Sequence, residues 1–375
     1  MRRETTAPRP DIKARLQGIS MWPADDDPYY DESVSYVFSE SQIETLYEAS
    51  LSLERMIGEA VDHVIAKKRF QELGISENLA RYASECRRNG HPSVYGRMDL
   101  AYDGVQPPKL LEYNADTPTA LFEAAVLQWE WLKAQFPASD QFNSIHEALI
   151  AAWAKLKTQS GLNRLTLTGM LDEDDDRMTI AYMEDVAHQA GWRTLPMQIE
   201  DLGFDGSGFV DSEGVYVQAL FKLYPWDWLA QEKFFDHLVE LDPAVMESGW
   251  RVLASSKGLL PILWELFPDH PNLLPASFKN DAMLGPRVSK PVLGREGSDI
   301  HFFDVADEPL AQTGPYATQK RIYQTYHPLP YFDGWYPVIG SWIIDGEPCG
   351  IGVREDRSRV TGLGAKFRPH RMENE

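Results

Sequence analysis

The chain is 375 residues long, with 43% apolar and 11% aromatic residues, a composition that supports a large core in two or three closely associated lobes and excludes a disordered protein. Its net charge of −21 argues against a nucleic-acid partner, because a phosphate backbone needs basic surface. The two cysteines, Cys86 and Cys349, lie far apart in sequence; they offer neither a disulfide framework nor a metal-ligand spacing, and they fit a reducing cytoplasm.

Residues 1–20 carry Arg2, Arg3, Pro8 and Pro10 and read as a weakly structured basic tail. No apolar stretch follows the arginines, so no secretory leader is expected. From 39 to about 70 apolar residues recur at helical spacing, among them Ile43, Leu46, Leu53, Ile57, Val61 and Val64. Further helices are expected over 119–135 and 141–158. An α/β rhythm follows: a strand at 165–170, a helix at 178–190 closed by Gly191, and a strand at 192–198. Residues 250–280 read as helix and loop. Their apolar run, 259–267, is too short to span a bilayer, so no membrane partner is expected and the cytoplasm is the expected location. From 287 onward the pattern turns to strands, at 288–293, 321–326, 336–344 and 350–354.

The most informative segment is 94–116, VYGRMDLAYDGVQPPKLLEYNAD. It reads as strand, turn, strand, with Asp103-Gly104-Val105-Gln106-Pro107 as the reversal. Arg97 and Asp99 share one face of the first strand, and Glu112 and Asn114 share one face of the second. An antiparallel hairpin centred on Val105 and Gln106 puts Asp99 opposite Glu112 and Arg97 opposite Asn114, a single register for both pairs. Like charges directly opposed cost up to about 1 kcal/mol. A hard divalent cation between them would reverse the sign, and carboxylate and amide oxygens completed by water and phosphate suit Mg2+. Arg97 alongside could then grip a phosphate oxygen. A solvated sheet face with Arg97 neutralising both acids accounts for the same spacing.

Three further features bear on anion binding. Lys290 lies on a strand running into Gly294-Arg295-Glu296-Gly297, a loop able to present backbone N–H groups to phosphates. It matches neither a P-loop nor a dinucleotide fingerprint, and an ordinary hairpin loop is the plainer account. Lys257, in Ser255-Ser256-Lys257-Gly258, precedes a helix, where a cation opposes the dipole unless an anion is shared. Arg354 ends a strand on the same face as Gly350 and Gly352, whose small size would let a ligand approach the backbone.

The order of these motifs resembles the synthetase domain of the glutathionylspermidine synthase family: Arg97-x-Asp99, then Leu-Leu-Glu112-Tyr-Asn114-Ala-Asp-Thr-Pro-Thr, Ser-Ser-Lys257-Gly, Lys290-Pro-x-x-Gly-Arg-x-Gly-Ser, Ile-Tyr-Gln324, and Gly-x-x-x-Arg354. The resemblance covers nearly everything after residue 20. It implies an α+β protein of ATP-grasp fold in permuted motif order, with a helical N-terminal region and a β-rich C-terminal part. It divides the chain into a substrate-binding region at 21–250, hairpin included, and a nucleotide-binding region at 251–375. It further implies ATP and Mg2+ as cofactors. Asp99 and Glu112 would hold one ion, and Glu112 and Asn114 a second, with Arg97 on the reacting phosphate. Lys257 and Lys290 would bind the nucleotide under a lid spanning Gly294 and Gly297, Gln324 and Tyr326 would line an adenine pocket, and Arg354 would stabilise the charged intermediate. Thr117 and Thr119 fall where the family meets a thiol peptide, and Asp175 and Asp176 where acidic residues face a polyamine. The reaction implied is amide formation between a carboxylate and an amine, both small molecules, through an acyl phosphate.

The chain departs from the family in having no room for the amidase domain of bifunctional members, in apolar Val338, and in residues 361–370. A catalytically silent nucleotide-binding protein of the same fold is the main alternative. A glycoside hydrolase, suggested by eleven tryptophans and many carboxylates, leaves Lys257 and Lys290 without work.

Overall fold

The computed structural model describes residues 1–19, 21, 27–306, 313–362 and 364–373. Ser39 starts the longest helix, Glu40–Lys67, through a capping box in which its hydroxyl accepts from the Gln42 N–H and the Gln42 side chain accepts from the Ser39 N–H. Ile43, Leu46, Leu53, Ile57, Val61 and Val64 form its buried stripe, as the spacing predicts. They anchor the larger of two apolar clusters; the smaller surrounds the Ile145–Ser160 helix and a parallel sheet.

That parallel sheet has the strand order Ala244–Met246, Ala219–Leu223, Arg164–Gly169, Arg193–Gln198. The helix Asp174–Gln189 forms the crossover between its last two strands. It begins four residues earlier than the periodicity predicts, because Asp174, Asp175 and Asp176 form its first turn, where negative charge complements the dipole. The expected 119–135 helix opens instead with a π-helical turn, Glu123–Leu127, and continues as Gln128–Gln135.

A five-stranded antiparallel sheet runs Lys366–Arg368, Glu347–Asp356, Tyr336–Ile344, Tyr95–Ala101, Lys109–Asn114. The 94–116 hairpin therefore shares a sheet with C-terminal strands, and strand pairing crosses the division expected at residue 250. A separate four-stranded sheet holds Ala276–Ser277, Arg321–Thr325, Arg287–Pro291 and His301–Phe303. The cleft described below lies between these layers.

The expected basic tail is a correction. Arg2–Thr5 pairs antiparallel with Val34–Ser39, which pairs parallel with His370–Glu373, and a helix at Ile12–Gly18 buries Ile12 and Leu16. Charge holds it there together with that apolar burial. Arg3 Nε and Arg368 Nε donate to the buried Glu355 carboxylate at 2.8 and 2.7 Å, and the Tyr36 hydroxyl donates at 2.6 Å. Arg3→Ala leaves that carboxylate short of a donor, and a stability loss of roughly 1–3 kcal/mol is expected in denaturant melts. Among the described residues no helix is long and apolar enough to cross a membrane.

Candidate active site

The hairpin has the register its sequence predicts, with Asp99 opposite Glu112 and Arg97 opposite Asn114, and the ladder slips by one residue directly beyond Asp99. The like-charge opposition is relieved by cations from three elements. Arg97 binds the Asp99 carboxylate with Nε and Nη2 at 2.8 and 3.3 Å, and Arg354 Nη2 reaches the same group at 2.6 Å. Glu112 pairs with a different residue, Lys257, at 2.9 Å. Arg97 thus neutralises Asp99 alone. The Asn114 amide nitrogen stands 3.3 Å from an oxygen of each acid.

Arg97 can lie along the sheet because its neighbour across the next strand has no side chain. Asp99 is in register with Gly340, and a Cβ on Gly340 would meet Arg97 Cδ at 2.8 Å. Arg97 Nη1 continues to the Thr119 carbonyl at 2.5 Å. The glycines beside Arg354 serve packing instead of ligand approach. A Cβ on Gly350 would strike the Ile145 side chain, and one on Gly352 the Phe367 ring.

Lys257 bridges two motifs that are far apart in sequence. Its main-chain N–H donates to Val292 O at 2.8 Å, and its ammonium donates to Gly294 O at 2.7 Å as well as to Glu112. The helix Leu259–Leu266 follows it directly. Lys290 donates to Leu111 O at 3.0 Å and to the Gln324 side-chain oxygen at 2.8 Å, while the Gln324 amide donates to Leu110 O. The glycine loop docks on the opposite wall, where Arg295 pairs with Asp227 at 2.5 Å and lies over the Trp228 ring.

These residues line one cavity of about 320 Å3. Arg97, Asp99, Glu112, Asn114, Thr117, Thr119, Asp176, Lys257, Lys290, Gly294, Gly297, Gln324, Tyr326 and Arg354 all reach it, and of the expected site residues Asp175 alone does not. Val288, Phe302, Leu329, Val338 and Tyr326 add apolar surface to the lining, and the Phe302 and Tyr326 rings meet edge-to-face at 5.9 Å.

Buried charge sets the electrostatics. Burial opposes ionisation of Glu112, but Lys257 and Lys290 outweigh it and hold the carboxyl well below the usual carboxylate range. Burial brings the Lys290 ammonium down to about 8, against the pull of Glu112. Burial and neighbouring acids raise Asp176 to about 6, although its carboxylate accepts the Met170 N–H at 3.0 Å. Arg97, Lys257, Lys290 and Arg354 surround Asp99 and Glu112, while Asp116, Asp176, Asp227 and Glu296 with Arg295 and Arg359 bring the cavity lining as a whole to charge balance.

Sequence reading missed Asp116 and Lys222. Lys222 is 1% exposed; it donates to Asp116 Oδ1 at 2.8 Å and lies 4.4 Å from the Trp226 ring centre, while Trp226 N–H donates to Asp116 Oδ2. The signal was a lone lysine in the apolar run Ala219–Leu223, which only its distant partner makes intelligible.

The fold supplies the first part of an assignment. Covering 98% of both chains, it matches a glutathione synthetase-like effector from Globodera pallida with a TM-score of 0.55 at 10% identity, so the architecture is of the glutathione synthetase-like class. The chain itself belongs to the glutathionylspermidine synthase family: the family model described as glutathionylspermidine synthase preATP-grasp matches residues 3–373. A Haemophilus influenzae protein described as a candidate acid–amine ligase is 36% identical over 390 residues, with 99% of each chain matched. The bifunctional glutathionylspermidine synthetase/amidase of Escherichia coli is 28% identical over 377 residues, matching 92% of this chain but 59% of its own length. Trypanothione synthetase of Crithidia fasciculata is 28% identical over 308 residues, with 73% of this chain matched to 46% of that protein.

Proposed function

We propose that this protein is an ATP- and Mg2+-dependent acid–amine ligase of ATP-grasp type that forms an amide and releases ADP and phosphate. The observation that carries the reading is the gathering of Arg97 and Arg354 on Asp99, and of Lys257 and Lys290 about Glu112, in one cleft that also has apolar lining. A nucleoside triphosphate has the complementary form, a flat ring joined to a polyanion, and family membership supports the same assignment.

The hairpin fits a hard cation. Asp99, Glu112 and Asn114 present oxygen-bearing groups from one sheet face, linked to one another at 3.3 Å through the Asn114 amide. Bound there, Mg2+ would offset phosphate charge and act as a Lewis acid. Lys257 and Lys290 bind the phosphates, with the loop from Gly294 to Gly297 above them. Gln324 and Tyr326 border the base. Arg97 and Arg354, both reaching Asp99, offset charge on the group in transfer.

The substrate carboxylate attacks the γ-phosphorus of ATP, and the bond to the β–γ bridging oxygen breaks to give an acyl phosphate and ADP. The amine then attacks the acyl carbon, phosphate departs, and the nitrogen gives up a proton. No protein nucleophile takes part. Thr117 and Thr119 contact the acid, for which glutathione or another small peptide is the proposed class. Asp176, and Asp175 behind it, attract the amine, for which a polyamine is the proposed class; the acidic exterior suits such a cation.

Coupled ADP release across a panel of γ-glutamyl peptides and amines tests this. ADP is expected only with ATP, Mg2+, an acid and an amine together. Nucleotide binding without ADP release under any pairing would instead assign a silent nucleotide-binding protein.

A further inference from the structure

Outside the cleft, at the far end of the helix Glu77–Arg88, three side chains with metal-ligating atoms converge. That helix closes in a Schellman motif. Gly90 takes the left-handed conformation at φ +67°, its N–H donates to Arg87 O at 3.3 Å, and the His91 N–H donates to Cys86 O at 2.9 Å. The motif brings the side chains at its two ends together, here a thiol and an imidazole where an apolar pair is usual. A third group arrives from a distant element: Asp242 caps the helix Phe235–Leu241, and its carboxylate lies 3.4 Å from His91 Nε2. The Cys86 sulfur, a ring nitrogen of His91 and a carboxylate oxygen of Asp242 all lie within 4.8 Å of one another.

The surroundings point to a ligand. The hydroxyls of Tyr82 and Ser248 are buried, at 2% and 1% exposure, and neither makes a hydrogen bond of good geometry. Both face the sulfur, and Tyr82 also stands beside Asp242. Gly249 abuts the same point, since a Cβ there would lie 3.3 Å from the sulfur. Two buried donors aimed at a thiol that accepts only weakly find acceptors once that sulfur is a thiolate.

We propose that Cys86, His91 and Asp242 bind one zinc-like divalent cation of borderline softness, with water or the Tyr82 hydroxyl as a fourth ligand. Thiolate, imidazole and carboxylate are the donors such an ion takes, in tetrahedral coordination at about 2.0–2.3 Å. On binding, the thiol proton passes to solvent. A Cys-His-Asp nucleophilic triad would use the same residue types. It is excluded by burial: Cys86 is 0% exposed, so no substrate reaches its sulfur. The ion would tie three segments together, among them the loop leading into the Tyr95–Ala101 strand that carries Arg97 and Asp99.

The test titrates the full chain with Co2+ in saturating Mg2+, after chelator treatment. One equivalent is expected to bind with thiolate-to-cobalt charge-transfer absorption, which Zn2+ displaces while raising the melting temperature. Cys86→Ser should abolish the absorption and Cys349→Ser should leave it unchanged. Asp242 is exposed, so Asp242→Asn should fold normally and weaken Co2+ binding tenfold or more; it decides the matter if Cys86→Ser does not fold. Absence of the charge-transfer band in the unsubstituted chain overturns the proposal, as does a band that survives Cys86→Ser or wild-type affinity in Asp242→Asn.

Discussion

Glu112→Gln is expected to lower kcat by about a hundred- to a thousandfold, the usual cost of removing one group that organises charge in the transition state. The shape of the side chain and its hydrogen bond with Asn114 can survive the change, so circular dichroism and melting should show an intact fold. The charge cannot survive. Lys257 loses its ion pair at 2.9 Å, Lys290 loses the carboxylate that supports its protonation, and the hairpin keeps only Asp99 as an anion for the cation. ATP should therefore still bind, because the site becomes more positive, while the Mg2+ dependence moves to higher concentration. Turnover at the wild-type rate would remove the metal role from the hairpin.

Lys290→Met should weaken ATP binding by about tenfold or more, since a charge-assisted hydrogen bond in a buried site contributes about 1.5–3 kcal/mol. This substitution also carries a pH signature. Burial holds the Lys290 ammonium at about 8, below its ordinary 10.5. The folded chain therefore binds fewer protons than the unfolded chain between pH 8 and 10.5. Its penalty for burying the charge is complete below pH 8 and relieved as pH rises through that interval. ATP needs the charged form, so affinity should fall as pH rises above 8 while the free protein loses that penalty. Lys290→Met removes both trends, and isothermal titration paired with denaturant melts at pH 7 and 9 separates them. A wild-type ATP affinity in the variant would show that Lys290 does not touch the nucleotide.

What could be read in advance was what short-range geometry decides. A two-residue period and one turn are sufficient to oppose Asp99 to Glu112, and a 3.6-residue period marks the buried stripe of Glu40–Lys67. Pairings across long separations were not legible. That Glu112 would pair with Lys257 rather than Arg97, or that Lys222 would meet Asp116, depends on which strands become neighbours. Local pattern misled where charge or packing did the work. Arg2–Thr5 is polar enough to resemble a tail, yet it is a strand held by ion pairs, and Gly350 and Gly352 make room for Ile145 and Phe367 rather than for a ligand. The acidic run near 174 falls outside the helix expected from 178 because its helix-forming role lies in the dipole and not in apolar periodicity.

The pairing of Tyr95–Ala101 with Tyr336–Ile344 also governs when the cleft can exist during synthesis. A nascent chain that has passed residue 116 can close its hairpin within microseconds, but the strand carrying Arg97 and Asp99 then keeps one edge open until more than 200 further residues have been translated. The strand bearing Gly340 and then Arg354 arrive late, so premature termination anywhere before them leaves an acidic hairpin without Arg354. A truncated product is therefore an unpaired sheet edge and not a weak enzyme, and it is a natural substrate for chaperones and proteases.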